Sequence, residues 1–195
     1  GVLMFDFRAH GRSPGDLSTW GWLETNDLLG ALDFLHRRPE VDSTRIGVLG
    51  YSLGGQVALR TTPGCELVRA VAADGPSPAV LADHLLSRRL TLKKILFLPY
   101  FWLLYGYHRL LVGTPAPVGV IASMPEIAPR PLLLELGTVD GTSPEIFAMD
   151  AWAQIERYYR AAGARDRLGL DIFETGHVYH GAKAFDWFDR WLLGA

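Results

Sequence analysis

The chain has 195 residues, 49% of them apolar, which is about one domain with enough apolar surface for a buried core. A formal charge of −2 carries no nucleic-acid signature, and a single cysteine, Cys65, excludes an intrachain disulfide. H-x-x-x-H and C-x-x-C spacings, a P-loop and G-x-G-x-x-G are all absent, so no metal and no cofactor is expected. One cysteine leaves the compartment open, with the cytoplasm favoured.

The elements follow in chain order. Residues 2–7 predict a strand. Residues 22–37 predict a helix, with Leu28, Ala31, Leu32 and Leu35 at helical spacing and Pro39 as its stop. Residues 46–49 form a short apolar run that leads into Gly50-Tyr51-Ser52-Leu53-Gly54, and residues 56–60 continue as a helix. This is G-x-S-x-G between a strand and a helix. A serine alcohol is a weak nucleophile until a sharp turn lifts its oxygen toward a base. The turn crowds its own backbone, so small residues are expected on both sides of Ser52, at Gly50 and Gly54. The Leu53 N–H, opening the helix, would face a developing oxyanion. The rival reading of Ser52 is an ordinary serine in a glycine-rich turn.

Residues 68–73 predict the next strand, followed by Asp74. Residues 132–136 predict another, running into Gly137-Thr138-Val139-Asp140-Gly141. A helix is predicted over 145–162, a strand over Leu168–Phe173, then Thr175-Gly176-His177 and a helix over 182–193. Candidates for a base are His177 and, three residues on, His180. His177 is preferred because Gly176 gives it a tight turn. Candidates for an orienting acid are Asp140 and Asp74, with the Gly-Thr-x-Asp context favouring Asp140. His10, His36, His84 and His108 read as solvated or structural. Asp6 and Arg8 read as a structural pair that holds the loop after the first strand. Apolar strands separated by helices predict an α/β fold, a mostly parallel sheet covered on both faces. Ligands bind such sheets at the C-terminal ends of the strands, where Ser52, Asp140 and His177 all fall.

Residues 79–124 break the alternation. Arg88, Arg89, Lys93, Lys94 and Arg109 stand there against one acid, Asp83, around an apolar run at 95–105. The run is shorter than a span of about 20 residues, and Pro99 interrupts it. The segment reads as a helical cap within a single domain, 1–195, whose Phe101 and Trp102, with Tyr51 beside the nucleophile, would line an acyl or alkyl pocket. Helices packed as ordinary core, and a segment resting on anionic lipid, are the alternatives.

These motifs resemble the α/β-hydrolase superfamily along nearly the whole chain. Asp6-Phe7-Arg8-Ala9-His10-Gly11-Arg12-Ser13 is similar to the family's D-x-R-G-x-G-x-S loop after its fourth strand, with Ala9 in place of the first glycine. Residues 40–47 are similar to the branch of dienelactone hydrolases and prolyl-oligopeptidase-like esterases. The order Ser52, Asp140, His177 is the family's order. The resemblance implies Ser52 as nucleophile, Asp140 as orienting acid and His177 as general base. It also implies a third strand between residues 2–7 and 46–49, with a loop that supplies a second oxyanion donor. Neither can be found, so the chain is expected to be an N-terminally truncated piece that begins at strand 4, unless residues 2–7 pair directly with 46–49. The function expected is hydrolysis of a small-molecule carboxylic ester through an acyl-enzyme. A serine peptidase, a thioesterase and a catalytically weak binding protein are the alternatives.

Overall fold

The computed structural model describes residues 1–76, 92–113, 119–137 and 150–194. Its centre is a parallel sheet of four strands, β1 (Ile46–Tyr51), β2 (Val68–Asp74), β3 (Leu132–Gly137) and β4 (Leu168–Phe173), in the order β1-β2-β3-β4. The helices are α1 (Glu24–His36), α2 (Leu53–Thr61), α3 (Leu92–Tyr107), α4 (Met124–Ile127), α5 (Asp150–Ala161) and α6 (Ala184–Phe188). The expected α/β architecture is present, and the central strands explain their composition. Every residue of β3 is buried, so its sequence is an apolar run and not an alternation.

Alternate side chains of the strands serve two layers. Val71, Ala73, Leu132 and Leu134 join the main core with Val57 and Leu59 of α2 and Ile155 and Tyr159 of α5. Ala72 and Leu133 point the other way, onto Ala184, Trp187 and Phe188 of the C-terminal helix. That second layer lies close to the sheet because two strand positions carry no side chain. A Cβ at Gly47 would come within 2.7 Å of the Phe188 ring, and one at Gly169 within 2.8 Å of Trp187.

Ahead of α1, a loop is wrapped around a buried carboxylate. Glu24 accepts hydrogen bonds from the Thr19 N–H (2.7 Å), the Gly21 N–H (3.0 Å), the Ser18 hydroxyl (3.2 Å) and the Thr19 hydroxyl. Burial pushes the Glu24 pKa up, but these donors outweigh it and the net direction is down. Glu24 thus substitutes for the side-chain cap that Leu23, at the N-cap, cannot make.

Four expectations need correction. Residues 2–7 form no strand, because no neighbouring strand among the described residues pairs with them or with the outer edge of β1. Val2 and Met4 stand in solvent. Arg8 pairs with Asp27 of α1 and not with Asp6. Its Nη2 and Nε donate to the Asp27 carboxylate at 2.7 and 3.0 Å, while Asp6 accepts from the Arg12 N–H at 2.9 Å. The chain turns sharply after Phe7, which sends the two side chains to different partners. The helix over the apolar segment is continuous: α3 runs through Pro99 and on into a wider turn, His108–Val112, that ends at left-handed Gly113. Its stretch Ile95–Val112 is, by length and composition, long and apolar enough to cross a membrane. Finally, the tail predicted as one helix is α6 followed by a wide turn, Asp189–Leu193. The start of the helix predicted over 145–162 lies outside the described residues, and α5 is seen from Asp150.

Candidate active site

The turn between β1 and α2 carries Ser52 with φ at 52°, one of three non-glycine residues with positive φ among those described. Such a backbone is strained and persists only where its surroundings hold it. Two contacts do so here. The Ser52 N–H donates to the Asp74 carbonyl at 2.8 Å, which fastens the turn to the end of β2, and the Gln56 N–H returns to the Ser52 carbonyl at 3.1 Å. Gly50 permits the turn to close: a Cβ there would lie 2.6 Å from the Gly55 nitrogen and closer still to the Gly54 carbonyl. Gly54 is different, since a Cβ there meets nothing within 4 Å. Only one of the two flanking glycines is required by space.

β1 and β4 are the two edges of the sheet, and the segment after β4 crosses back to reach Ser52. Gly137, at the end of β3, lets it pass, because a Cβ there would sit 2.6 Å from the Thr175 carbonyl oxygen. Gly75, after β2, faces the His177 ring, 3.4 Å from where its Cβ would be. At the far end of the crossing His177 Nε2 lies 2.8 Å from Ser52 Oγ. Tyr51 holds it there: its hydroxyl donates to the His177 carbonyl at 2.9 Å, and the two rings lie 5.1 Å apart. His177, and not His180, is the histidine at the serine. His180 stacks on Phe173 at 3.8 Å, with its Nε2 3.7 Å from Asp171. Asp140 lies outside the described residues.

The other expected site residues separate. Leu53 is the first residue of α2, so its N–H is among the helix donors without an intrahelical acceptor. Phe101 is buried, whereas Trp102, one position on, is exposed and edges onto Tyr105. His108 is fully buried, and burial lowers its pKa.

With this geometry the sequence matches the alpha/beta hydrolase family over residues 1–191. The chain belongs to that family. Among curated proteins it is similar to YfhR of Salmonella typhi, 29% identical over 164 residues, covering 83% of this chain and 49% of that protein. It is also similar to YtaP of Bacillus subtilis, 26% identical over 178 residues, covering 89% and 54%. The chain therefore spans about half the length of the curated relatives it matches. Among solved structures, an esterase of Pyrococcus furiosus aligns with a TM-score of 0.67 at 24% identity, over 96% of this chain and 69% of that one. A glucuronoyl esterase from Solibacter usitatus aligns with a TM-score of 0.64 at 15% identity, over 95% and 51%.

In this α/β-hydrolase the returning limb of the histidine segment is held by a row of three carboxylates, of which only Asp74 was among the expected site candidates. Asp74, Glu135 and Asp171 are direct neighbours across β2, β3 and β4. Asp74 Oδ2 accepts the N–H groups of His180 and Gly181 at 2.6 and 3.1 Å. Glu135 Oε1 accepts the Lys183 N–H at 3.1 Å, and the Lys183 ammonium donates to Asp171 at 2.5 Å. β2, β3 and β4 thus contribute one acid each, Asp74 to His180 and Gly181 and the other two to Lys183. The sequence signal was available: three apolar strands each carry an acid at or near their C-terminal end, a place where burial would otherwise exclude one.

Burial raises the pKa values of Asp74 and Glu135, and for Glu135 the charges of Asp74 and Asp171 add to it. A carboxylate with a folded-state pKa above its unfolded value binds protons more tightly when folded. Its contribution to stability is complete below the unfolded pKa and is lost as pH rises through the folded one. Each unit by which folding raises the pKa costs about 1.4 kcal/mol at alkaline pH. Glu135→Gln keeps an acceptor for Lys183 and removes the charge, so its Tm relative to the parent should be higher at pH 8 than at pH 4.5. The gain is about 2–4 °C for each kcal/mol. An equal Tm difference at both pH values would show that Glu135 is not displaced upward.

Proposed function

We propose that this protein is a serine hydrolase that cleaves carboxylic esters through an acyl-enzyme. The observation that carries the reading is the 2.8 Å contact between His177 Nε2 and Ser52 Oγ, at a serine held in a strained strand-to-helix turn. In this reading Ser52 Oγ attacks the ester carbonyl while His177 takes its proton. Asp140 holds the imidazole tautomer and stabilises the imidazolium, and the Leu53 N–H binds the oxyanion. His177 then protonates the leaving alcohol, and water repeats the cycle on the acyl-enzyme.

Asp140 suits the acid's part better than Asp74. Asp74 already spends Oδ2 on the His180 and Gly181 amides, and burial raises its pKa. Esterases among the structural neighbours support an ester substrate. Residues 79–124 would act as a cap over the site.

The reading is tested by labelling the folded chain with a fluorophosphonate and mapping the adduct by peptide mass spectrometry. Labelling is expected on Ser52 alone and absent in Ser52→Ala. An unlabelled but folded parent chain would leave a binding protein as the better description.

A further inference from the structure

α3 is apolar on all sides, and among the described residues one of those sides has nothing against it. Its inner face packs on the domain through Phe101, Leu104 and His108, all buried, and Tyr107 is tied down by a hydrogen bond from its hydroxyl to the Ser18 carbonyl at 2.5 Å. On the opposite face Leu92, Leu96, Pro99 and Leu103 recur at spacings of four, three and four residues, which is one stripe along a helix. The stripe is bare: Leu92 is 73% exposed, Leu96 70% and Leu103 75%, and Leu110 in the following turn is 81% exposed. Of the whole stretch Ile95–Val112, 17% is buried. A helix that is apolar all round belongs inside a protein core or in lipid, and a surface helix should carry a polar outer face.

The groups around the stripe identify its occupant. Trp102 and Tyr105 flank it, 67% and 50% exposed, with their rings edge to face. These are the residues that settle at a membrane–water boundary. Arg109 is exposed beside them. In sequence Lys93 and Lys94 open the helix, Arg88 and Arg89 precede it, and Asp83 is the sole acid from 79 to 124. Pairing with a second copy would bring like charges together, whereas anionic headgroups would neutralise them. The buried inner face and the Tyr107 tether keep the helix alongside the domain, so it would lie in the interface and not cross it.

We propose that the outer face of α3 is a docking surface for anionic lipid membranes, with the leucine stripe entering the acyl boundary and Arg109 at the headgroups. This does not depend on the ester reading, because its test measures binding and not turnover.

The experiment is flotation of the chain with phosphatidylcholine vesicles, with and without about 30% phosphatidylglycerol. Binding should need the anionic lipid and weaken as salt rises. The double variant Leu96→Glu/Leu103→Glu, at exposed positions where folding loses little, should reduce partition by about tenfold or more with circular dichroism and melting unchanged. Arg109→Gln should reduce it about fivefold, the effect of about 1 kcal/mol per interfacial charge. Equal binding to neutral and anionic vesicles would overturn the proposal. So would binding untouched by the double variant, or no vesicle binding together with a dimer that the double variant dissolves.

Discussion

His177→Ala is expected to lower ester turnover about 10⁴–10⁶-fold, about as far as Ser52→Ala does, because nucleophile and base act as one unit. The double variant should be scarcely worse than either single one. The reason is the contact at 2.8 Å: without the imidazole no group takes the Ser52 proton, and without the hydroxyl the imidazole has nothing to activate. Asp140→Asn should cost less than either, about 10⁴-fold at most, since it disturbs the tautomer and leaves the base in place. Initial rates on a chromogenic short-chain ester measure all four variants. If His177→Ala kept most of the activity while His180→Ala lost it, the base would be assigned wrongly. His180 is engaged with Phe173 and Asp171, so its variant should instead reduce stability.

The second large effect separates two glycines that look equivalent in the motif. Gly50→Ala would push a methyl group into the Gly54 carbonyl, 2.6 Å from the Gly55 nitrogen, all of it backbone that cannot step aside. Overpacking of this kind typically costs about 1–3 kcal/mol, and the turn gives way at the residue it was built to present. Gly50→Ala should therefore lower Tm and abolish fluorophosphonate labelling together. Gly54→Ala meets open space within a helix, where alanine is better than glycine by about 0.5–1 kcal/mol. It should melt at or above the parent temperature and still label. A Gly54→Ala protein as damaged as Gly50→Ala would mean that the turn is tighter than these distances describe.

Gly50 and Gly54 show where sequence reasoning reaches its limit. The motif predicts smallness on both sides of the serine, and only the three-dimensional crossing of strand and helix distinguishes the side that needs it. The carboxylate row makes the same point. Asp74 was visible as a candidate acid, yet its work on the His180 and Gly181 amides depends on a chain reversal more than 100 residues later. Arg8 likewise found Asp27 and not Asp6, because a turn after Phe7 has no signature in charge spacing alone.

What the sequence by itself determined is what local patterning controls. The four apolar runs became four parallel strands because backbone groups buried on both faces must pair with one another, and helices between them supply the crossovers. Ser52 was legible because its strand, turn and helix are contiguous. Long-range choices were left to the tertiary structure. Residues 2–7 carry strand chemistry and make no strand, since pairing is a property of neighbours and not of a segment. The preference for His177 over His180 was legible from its turn, but the path that brings it to Ser52 depends on the glycines at 75 and 137, which clear two strand ends, and on the three carboxylates that hold the returning limb. The bare stripe on α3 could be seen only once the helix had a place, because an apolar sequence does not say which of its faces will be covered.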